Sequence, residues 1–354
     1  MRVKLWIAGL IVVLAMTSFT CKEEPGGVSP PKEPEAKREY TWSIDTIQYP
    51  TSYQTLMTGM YGTGDSNVYI VGFTSVAAAK MYRYNGKKWN VVPLTVQEGG
   101  PIQKLQLEDI HGSGPNNIWA VGEESFLASS NPYTFLDSSM VVHFDGVRWS
   151  EVKIPCRGPI LYAVWVVSPN CVWASGDNGY VVNYNGSTWK KFELPKKALC
   201  SSITALSASE VYVIGHVGDA VFPIDSSGSF LFKYDGTTWT CIDSIMRTPN
   251  APPSHLGSTV YSAYGRVYNL GISLYERVDN IWRLLLDADV GHMYQHGINQ
   301  MIAVGSSVYH YNGKDWKEIY QIPQPLRGGR CFSTPNQIFI LYQDGFKTYV
   351  IHGK

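Results

Sequence analysis

The chain has 354 residues, of which 44% are hydrophobic, 13% are aromatic and only 16% are charged. Its 29 Lys and Arg residues balance its 29 Asp and Glu residues, so it lacks the clustered excess of positive charge that a nucleic-acid-binding protein needs. The abundant Gly, Tyr and Trp residues (33, 23 and 11) favour strands and tight turns over long helices or disorder.

The first 21 residues are predicted to be a targeting segment. Arg2 and Lys4 lead into an apolar stretch, residues 5–16, which suits a secretory signal and is short of the about 20 residues that a membrane-spanning helix needs. With Cys21 close behind, the segment resembles a bacterial lipoprotein signal, which implies that Cys21 is lipidated and becomes the mature N-terminus. Phe19 stands where that family prefers a small residue, and an ordinary cleaved signal peptide is the alternative.

Residues 22–40 are predicted to be a flexible tether. They are charged and rich in Pro and Glu, and such a segment buries too little apolar area to fold. Lys22, Glu23 and Glu24 resemble the acidic export signal of some Bacteroidetes surface lipoproteins. We therefore expect a lipid-anchored protein of the bacterial cell envelope, in the outer membrane, with display at the cell surface as a further option.

From residue 41 onwards, the chain is built from a repeat. Each copy has an aromatic residue, then Asn or Asp, then Gly, two further residues and a Trp. Asn-Gly and Asp-Gly favour tight hairpin turns because both residues tolerate positive φ angles, so each copy is predicted to join two antiparallel strands. The copies occupy residues 84–89, 144–149, 184–189, 234–239 and 311–316, and a degenerate sixth copy ends at Trp282.

A second pattern, an apolar run that ends mostly at Gly, precedes each hairpin. Such runs are typical of buried strands. With one short strand before each run, every unit is predicted to have four strands, a to d: b is the apolar run, c leads into the turn and d carries the Trp. The runs occupy residues 67–72, 117–122, 171–176, 210–215, 266–271, 300–305 and 337–342.

The length and number of these units predict an all-β fold, a seven-bladed β-propeller of four-stranded antiparallel blades. Blades of about 40–50 residues are usual, and the spacing between repeat Trp residues is 34 to 60. Strand b occurs seven times, but the last unit ends without a strand d. At the other end of the chain, Trp42 lies in a segment that comes before the first strand a. Residues 41–50 are therefore predicted to supply that strand and close the ring. The Trp residues assigned to blade packing are Trp42, Trp89, Trp149, Trp189, Trp239, Trp282 and Trp316.

The repeat units of residues 41–354 resemble those of secreted bacterial propellers. The segments 115–122 and 143–149 are similar to two-component-regulator-type propeller repeats and, distantly, to Asp-box repeats. An aromatic residue takes the Asp position of the Asp box, which argues against sialidase activity. The resemblance implies a propeller fold and leaves function open, because propellers host many activities.

The cysteines give no sign of a disulfide framework. Without Cys21 their number is odd, and no CxxC pair is present, so at most two bridges can form and a zinc site is not indicated. Small buried side chains are the simplest interpretation. These residues are Cys156, Cys171, Cys200, Cys241 and Cys331.

Two short motifs are candidates for chemistry. His292 and His296 are conceivable as a metal pair, but the segment aligns with strand a, and an aromatic residue in several other blades takes the position assigned to His296. We expect His296 to pack in that position and expect no metal. Glu123 and Glu124 are conceivable as an acid–base pair, but we expect them to be solvated. The aligned aromatic residues are Tyr61, His111, Trp165 and Tyr261.

The lengths of the connections distinguish the two faces of the predicted disc. The b–c and d–a connections emerge on one face, here called the long-loop face, and the a–b and c–d connections on the other, the tight-turn face. The five long segments all fall on the long-loop face: 73–79, 123–139 and 216–229 as b–c, and 94–105 and 243–256 as d–a. Because binding residues concentrate on loops of rigid scaffolds, this face is predicted to bind a partner. The candidate residues are Tyr133, Phe135, Glu123, Glu124, His216 and Phe222.

Three hypotheses for function follow. The first is a non-catalytic envelope propeller that binds a protein or glycan partner, with membrane contact through its lipid anchor only. The second is a glycan-active enzyme, a hydrolase or lyase, which needs two carboxylates or a Tyr/His pair converging in the funnel on the long-loop face. The third is a structural or assembly component of the envelope. No catalytic residue is assigned, and no cofactor, metal or nucleic acid is expected.

Overall fold

A computed structural model of the protein describes residues 38–94, 102–130, 132–154, 158–217, 228–246 and 255–354. Strand β1 (Trp42–Ile47) comes first in the chain. Blades one to three follow, with four strands each: β2 (Thr55–Gly64), β3 (Asn67–Thr74), β4 (Met81–Tyr84) and β5 (Trp89–Val91); β6 (Ile102–Gly114), β7 (Asn117–Ser130), β8 (Tyr133–Phe144) and β9 (Trp149–Glu151); β10 (Leu161–Ser168), β11 (Cys171–Gly176), β12 (Tyr180–Tyr184) and β13 (Trp189–Glu193).

The remaining strands complete the ring. Blades four to six contain β14 (Leu199–Ser207), β15 (Glu210–Val217), β16 (Gly228–Tyr234) and β17 (Trp239–Met246); β18 (Thr259–Ala263), β19 (Arg266–Leu270), β20 (Leu274–Val278) and β21 (Ile281–Leu286); β22 (Val290–Gly297), β23 (Gln300–Gly305), β24 (Ser307–Tyr311) and β25 (Trp316–Gln321). Blade seven contains β26 (Arg327–Ser333), β27 (Ile338–Gln343), β28 (Thr348–Gly353) and β1. The prediction of seven four-stranded antiparallel blades is confirmed.

Ring closure by the N-terminal strand is also confirmed. Strand β1 pairs antiparallel with β28 from Trp42 opposite Gly353 to Ile47 opposite Thr348. The Trp42 ring packs against Tyr320 of blade six with centroids 4.4 Å apart. Ile47 is 4% exposed, but Ile44 is 45% exposed because it lies on the outer side of this outermost strand. First and last strands thus share one blade, and β28 is not left as an open outer edge.

The repeat motif builds the same outer hairpin in each of its copies. In blade three, the Asn185 side-chain oxygen accepts hydrogen bonds from the backbone N–H groups of Ser187 and Thr188, at 3.1 and 2.8 Å. Gly186 has a φ of +94°, a left-handed conformation that glycine adopts at little cost. The turn brings Tyr184 against Trp189, with ring centroids 5.2 Å apart. The corresponding separations in blades one, two, four and six are 5.3, 5.5, 5.3 and 5.4 Å.

Hydrophobic clusters between neighbouring blades hold the ring together. Strand b has neighbouring blades on both sides, so Val68, Ile70 and Val71 of β3 are all fully buried. This double burial explains why the b strands are continuous apolar runs instead of alternating patterns. One cluster joins Val71 of blade one to Ile110 and Ile118 of blade two, and equivalent clusters recur around the disc.

The last residues of the predicted tether lie against the propeller. Arg38 forms an ion pair with Asp315, with the nitrogen and oxygen 2.8 Å apart, and donates a hydrogen bond to the backbone oxygen of His310 at 3.2 Å. Asp315 belongs to the c–d turn of blade six, so the chain enters the propeller on the tight-turn face. The predicted signal segment and the remainder of the tether, residues 1–37, lie outside the described residues.

Among the described cysteines, Cys171, Cys200, Cys241 and Cys331 are free thiols. Cys200 and Cys331 are buried, and burial raises the pKa of the Cys200 thiol to about 12. Cys21 and Cys156 lie outside the described residues. The part of the chain that the structure describes contains no helix long and apolar enough to cross a membrane.

Candidate functional site

Segment 123–139 is a projecting hairpin, which corrects its prediction as a loop. Strands β7 and β8 remain paired well beyond the rest of blade two, with Glu124 opposite Ser138, Phe126 opposite Leu136 and Leu127 opposite Phe135. The sequence here mixes polar and apolar residues without a turn motif near Glu123, so the continuation of the strands was not recognised.

Glu123 and Glu124 lie within the blade, so the expectation that they are solvated is wrong. They are 4% and 6% exposed, because the first half of β6 covers them: Gln106 is paired opposite Glu123 and Leu105 opposite Glu124. Glu123 also forms an ion pair with Lys104. These carboxylates support the base of the hairpin and are not available to a partner.

The tip of the hairpin carries exposed apolar side chains. Leu127, Phe135 and Leu136 are 39%, 53% and 57% exposed. Tyr133 begins strand β8, and its side chain lies outside the described residues. Exposed aromatic and aliphatic side chains on a rigid hairpin give apolar contact area at low entropic cost, which suits recognition of another surface.

One other predicted partner-binding residue is described, and it lies apart from this hairpin. His216 lies near the end of β15 in blade four, half-buried, with its Nδ1 atom 3.1 Å from the Ser229 hydroxyl. Phe222 lies outside the described residues, as do parts of three long segments, residues 95–101, 218–227 and 247–254. The described candidates therefore divide between blades two and four.

The aromatic position assigned to His296 belongs to Tyr294, a correction of two residues. Tyr294 pairs opposite Ile302 as Tyr61 pairs opposite Tyr69, and each of these aromatic residues lies six residues before the first residue of its strand b, Gln300 and Asn67. His296 contacts the Ser333 hydroxyl at 2.8 Å through Nδ1. Among the described residues, no group of three or more potential metal ligands is present.

A belt of aromatic rings crosses the central channel at this position of the inner strands. Tyr61 and His111 have ring centroids 5.3 Å apart, and His111 stacks on Trp165 at 4.2 Å. Trp165 reaches Tyr261 at 5.8 Å, and Tyr294 contacts Phe332 at 5.0 Å. Apart from the buried Phe332, these rings are partly exposed, and together they line a cavity in the channel.

A small polar layer lies beside the belt, towards the long-loop face. A cavity of about 70 Å³ is lined there by Asp109, His292 and Arg330, among other residues of the inner strands. Asp109 accepts a hydrogen bond from the Val164 N–H at 3.0 Å. Burial and the neighbouring Arg330 hold the pKa of His292 well below its ordinary value, so this imidazole is neutral.

A wider cleft of about 550 Å³ opens from this layer onto the long-loop face. It begins at the channel mouth, where inner strands of several blades contribute, and continues between blades six and seven. Arg330 lines both the cavity and the cleft. Sequence reasoning missed it, although an alignment of the seven a strands shows one Arg where the other blades have other residue types. The aligned residues are Gly59, Asp109, Ala163, Ser202, Thr259, His292 and Arg330.

The acidic residues near the hairpin do not form an open catalytic pair. Burial, and secondarily the charge of Glu123, raises the pKa of Glu108 to about 7, as a general acid requires. However, Glu108 accepts a hydrogen bond from Gln106, and Glu123 is held by Lys104. Neither carboxylate lines the channel cavity or the cleft. A pair of carboxylates is therefore not seen among the described lining of these two cavities, whereas a Tyr/His pair, Tyr61 and His111, does line the channel cavity.

Neither protein-family models nor curated proteins match this sequence. A solved structure of YCF48 bound to D1 peptide is 16% identical, with 90% of this chain and 96% of that chain covered and a TM-score of 0.58. The WD40 β-propeller domain of Doa1 is 10% identical, with 89% and 97% covered and a TM-score of 0.57. The Pan2 WD40 domain of Neurospora crassa is 11% identical, with 90% and 97% covered and a TM-score of 0.54. Such low identities establish the architecture alone: the chain folds as a seven-bladed β-propeller.

Proposed function

We propose that the chain is a non-catalytic, lipid-anchored β-propeller of the bacterial cell envelope that binds a protein partner through its long-loop face. The observation that carries the proposal is the β7–β8 hairpin, a rigid projection with exposed Leu127, Phe135 and Leu136 at its tip. A similar fold is used by YCF48, which has been solved bound to a peptide. Peptide binding is therefore compatible with this architecture, although the fold alone does not assign it.

The entry point of the chain supports an orientation for the anchored protein. Arg38 lies at the c–d turn of blade six through its ion pair with Asp315. A lipid on Cys21 would thus tether the molecule from its tight-turn face. The 16 residues between Cys21 and Arg38 would span up to about 55 Å if fully extended. The long-loop face would then be directed away from the membrane, where a partner can approach it.

Metabolic labelling tests the anchor. Cells that express the full chain and are fed a radioactive fatty acid should label this protein, and a Cys21→Ser variant should lose the label. Label that persists in the variant would contradict lipidation at Cys21 and leave the propeller's binding function to be judged separately.

Pull-down from envelope extract tests partner binding, with one variant for each face. Replacing residues 127–135 by Asn-Gly joins Phe126 to Leu136, which are already paired, through a two-residue hairpin turn. This variant should fold and lose a protein that the unaltered chain captures. Arg148→Gln, in the c–d turn of the same blade, should keep it. The captured protein is then purified, and its binding to each purified variant is measured without other proteins present. Equal binding to the hairpin variant and to Arg148→Gln would contradict the proposal.

A further inference from the structure

The cleft between blades six and seven contains a guanidinium group with unused hydrogen-bonding capacity. The Nε atom of Arg330 donates to the backbone oxygen of Thr58 at 3.1 Å, which fixes the plane of the group. Within the described part of the chain, its two terminal nitrogens have neither a hydrogen-bond nor an ion-pair partner. Because Arg330 lines the cleft and is half-buried, these two nitrogens can serve as donors to a ligand bound there.

The local backbone keeps space open in front of this group. Gly329 has a φ of +150°, a conformation that other residues rarely adopt. A Cβ atom there would lie 3.3 Å from the Tyr342 hydroxyl and 3.4 Å from Val304. Tyr342 is itself fixed, because its hydroxyl donates to the Gly305 oxygen at 2.7 Å. Gly329 therefore adds no side chain of its own beside Arg330, and the fixed Tyr342 lines the cleft next to it.

The charges of the cleft select a singly charged anion. Among the described residues that line the cleft, Arg330 is the cation. Asp289 is exposed, and its negative charge disfavours a ligand with more than one negative charge. Deeper in the channel, burial raises the pKa of the Asp109 carboxyl against the opposing charge of Arg330 and the hydrogen bond from the Val164 N–H, and His292 is neutral. One guanidinium matches one carboxylate, whereas a phosphate dianion needs additional positive charge.

The remaining lining suits a peptide. The amide side chains of Gln324 and Gln343 and the hydroxyls of Ser258 and Ser306 line the cleft next to Leu326 and Tyr342. Amides and hydroxyls both donate to and accept from the backbone groups of an extended chain. A volume of about 550 Å³ lies in the range of sites that enclose small ligands.

We propose that this cleft binds a carboxylate of an extended peptide segment, with the Arg330 guanidinium as the bidentate donor and Gln324 and Gln343 as contacts to the peptide backbone. The carboxylate comes either from a chain terminus or from an acidic side chain. This inference rests on the proposed function in so far as the peptide belongs to a protein partner, and it adds a second contact at a distance from the β7–β8 hairpin.

Fluorescence anisotropy with short labelled peptides tests the site in the full chain purified in detergent. The probes are fluorescein-labelled Gly-Gly-Ala-Ala with a free C-terminal carboxylate, the same peptide as its amide, and Gly-Glu-Ala-Ala amide. At least one carboxylate peptide should bind at least tenfold more tightly than Gly-Gly-Ala-Ala amide, and which one binds identifies the source of the carboxylate. No binding by either carboxylate peptide up to millimolar concentration, or equal binding of the amide control, would overturn the proposal.

Matched variants connect that binding to Arg330. Arg330→Gln should weaken binding of the carboxylate peptide at least tenfold, and Arg330→Lys should weaken this binding less. Arg148→Gln, on the tight-turn face, should leave the affinity unchanged. A thermal melt checks that each variant is folded. If Arg330→Gln is not folded, the affinity of Arg330→Lys for the carboxylate peptide tests the site instead. Unchanged affinity in a folded Arg330→Gln variant would reject the site. If the shortened hairpin loses partner capture while Arg330→Gln keeps it in full, the proposed function stands and only the cleft proposal is rejected.

Discussion

The two faces of the disc are constructed in different ways, although the same 28 strands support both. The tight-turn face repeats one short motif, in which Asn or Asp accepts two backbone N–H groups and Gly takes a positive φ. Among the described residues, the long-loop face shows no such shared motif: blade two projects a hairpin, whereas blades six and seven leave a cleft. The regular face therefore maintains the fold, and the irregular face is the one on which we propose recognition.

Removal of the closing strand should have the largest effect, because both faces depend on a closed ring. Deleting residues 41–50 removes every pairing of β28 with β1 and the packing of Trp42 on Tyr320. We expect a loss of at least about 3–5 kcal/mol in the free energy of unfolding, measured by denaturant titration. Ile44→Ala, at a 45% exposed position of the same strand, should cost less than about 1 kcal/mol. A deletion variant as stable as the parent would contradict ring closure.

Replacing a single turn glycine by alanine should cause the next largest loss of stability, because the glycine has a positive φ. Gly186→Ala forces an alanine into a φ of +94° and brings its Cβ within 2.9 Å of Asn170, which should cost about 1–3 kcal/mol of stability. Gly114 ends the inner strand of blade two, and a Cβ there meets nothing within 4 Å among the described atoms. Gly114→Ala should therefore be nearly neutral in the same chemical denaturation experiment; equal costs would show that turn geometry is not the cause.

The long-loop face should contribute a pH dependence through Glu108. Its pKa is raised from 4.5 to about 7, chiefly by burial, so the folded state holds this proton more tightly than the unfolded state. The resulting stability is fully present below pH 4.5 and is lost as the pH rises through about 7. Since Glu108 is only half-buried, we expect on the order of 1–2 kcal/mol.

Glu108→Gln isolates that effect. The variant should lose the decline in stability between pH 4.5 and 7 that the parent shows, as followed by denaturant midpoints across this range. Lys104 and Glu123 lie beside the group and are present in both proteins, so the difference between the two curves reports Glu108. Parallel curves would mean that its carboxyl is solvated in the folded state.

The smallest stability effects should come from the parts that we propose recognise a partner. Replacing residues 127–135 by Asn-Gly removes exposed tip residues and leaves the buried pairs below Phe126 intact, so stability should change by less than about 0.5 kcal/mol. Charge changes at Lys87, Arg148 or Lys314 in the c–d turns should be equally mild and should not affect partner capture. A large drop in melting temperature on shortening the hairpin would show that it supports the blade.

The sequence contains most of the information about the fold because the fold is repetitive. The last unit lacked a strand d, and the segment that contains Trp42 was the spare strand at the other end of the chain. The antiparallel pairing of β1 with β28 follows from that count of strands. The aromatic position of β22 was misassigned to His296, although Tyr294 has the same spacing to strand β23 as Tyr61 has to β3. The extension of β7 and β8 beyond the rest of the blade could not be predicted, because strand pairing arises from contacts between distant residues, which spacing along the chain does not encode.

The candidate site was less predictable for the same reason. Phe135 was identified correctly as exposed on the long-loop face, but Glu123 and Glu124 were expected in solvent and are covered by the extended strand β6. Arg330 was missed because its importance depends on neighbours from several blades, including Thr58. Burial and the convergence of side chains from separate blades are properties of the assembled ring.

Site-specific photo-crosslinking tests the central claim, that recognition belongs to the long-loop face, most directly. A photoreactive phenylalanine analogue is placed either at Phe135 on the hairpin tip or at Val147 in the c–d turn of the same blade, which are 53% and 87% exposed. After irradiation in living cells, the Phe135 variant should form a defined adduct with a protein partner and the Val147 variant should not. An adduct from Val147 alone would contradict the account and move the recognition surface to the tight-turn face.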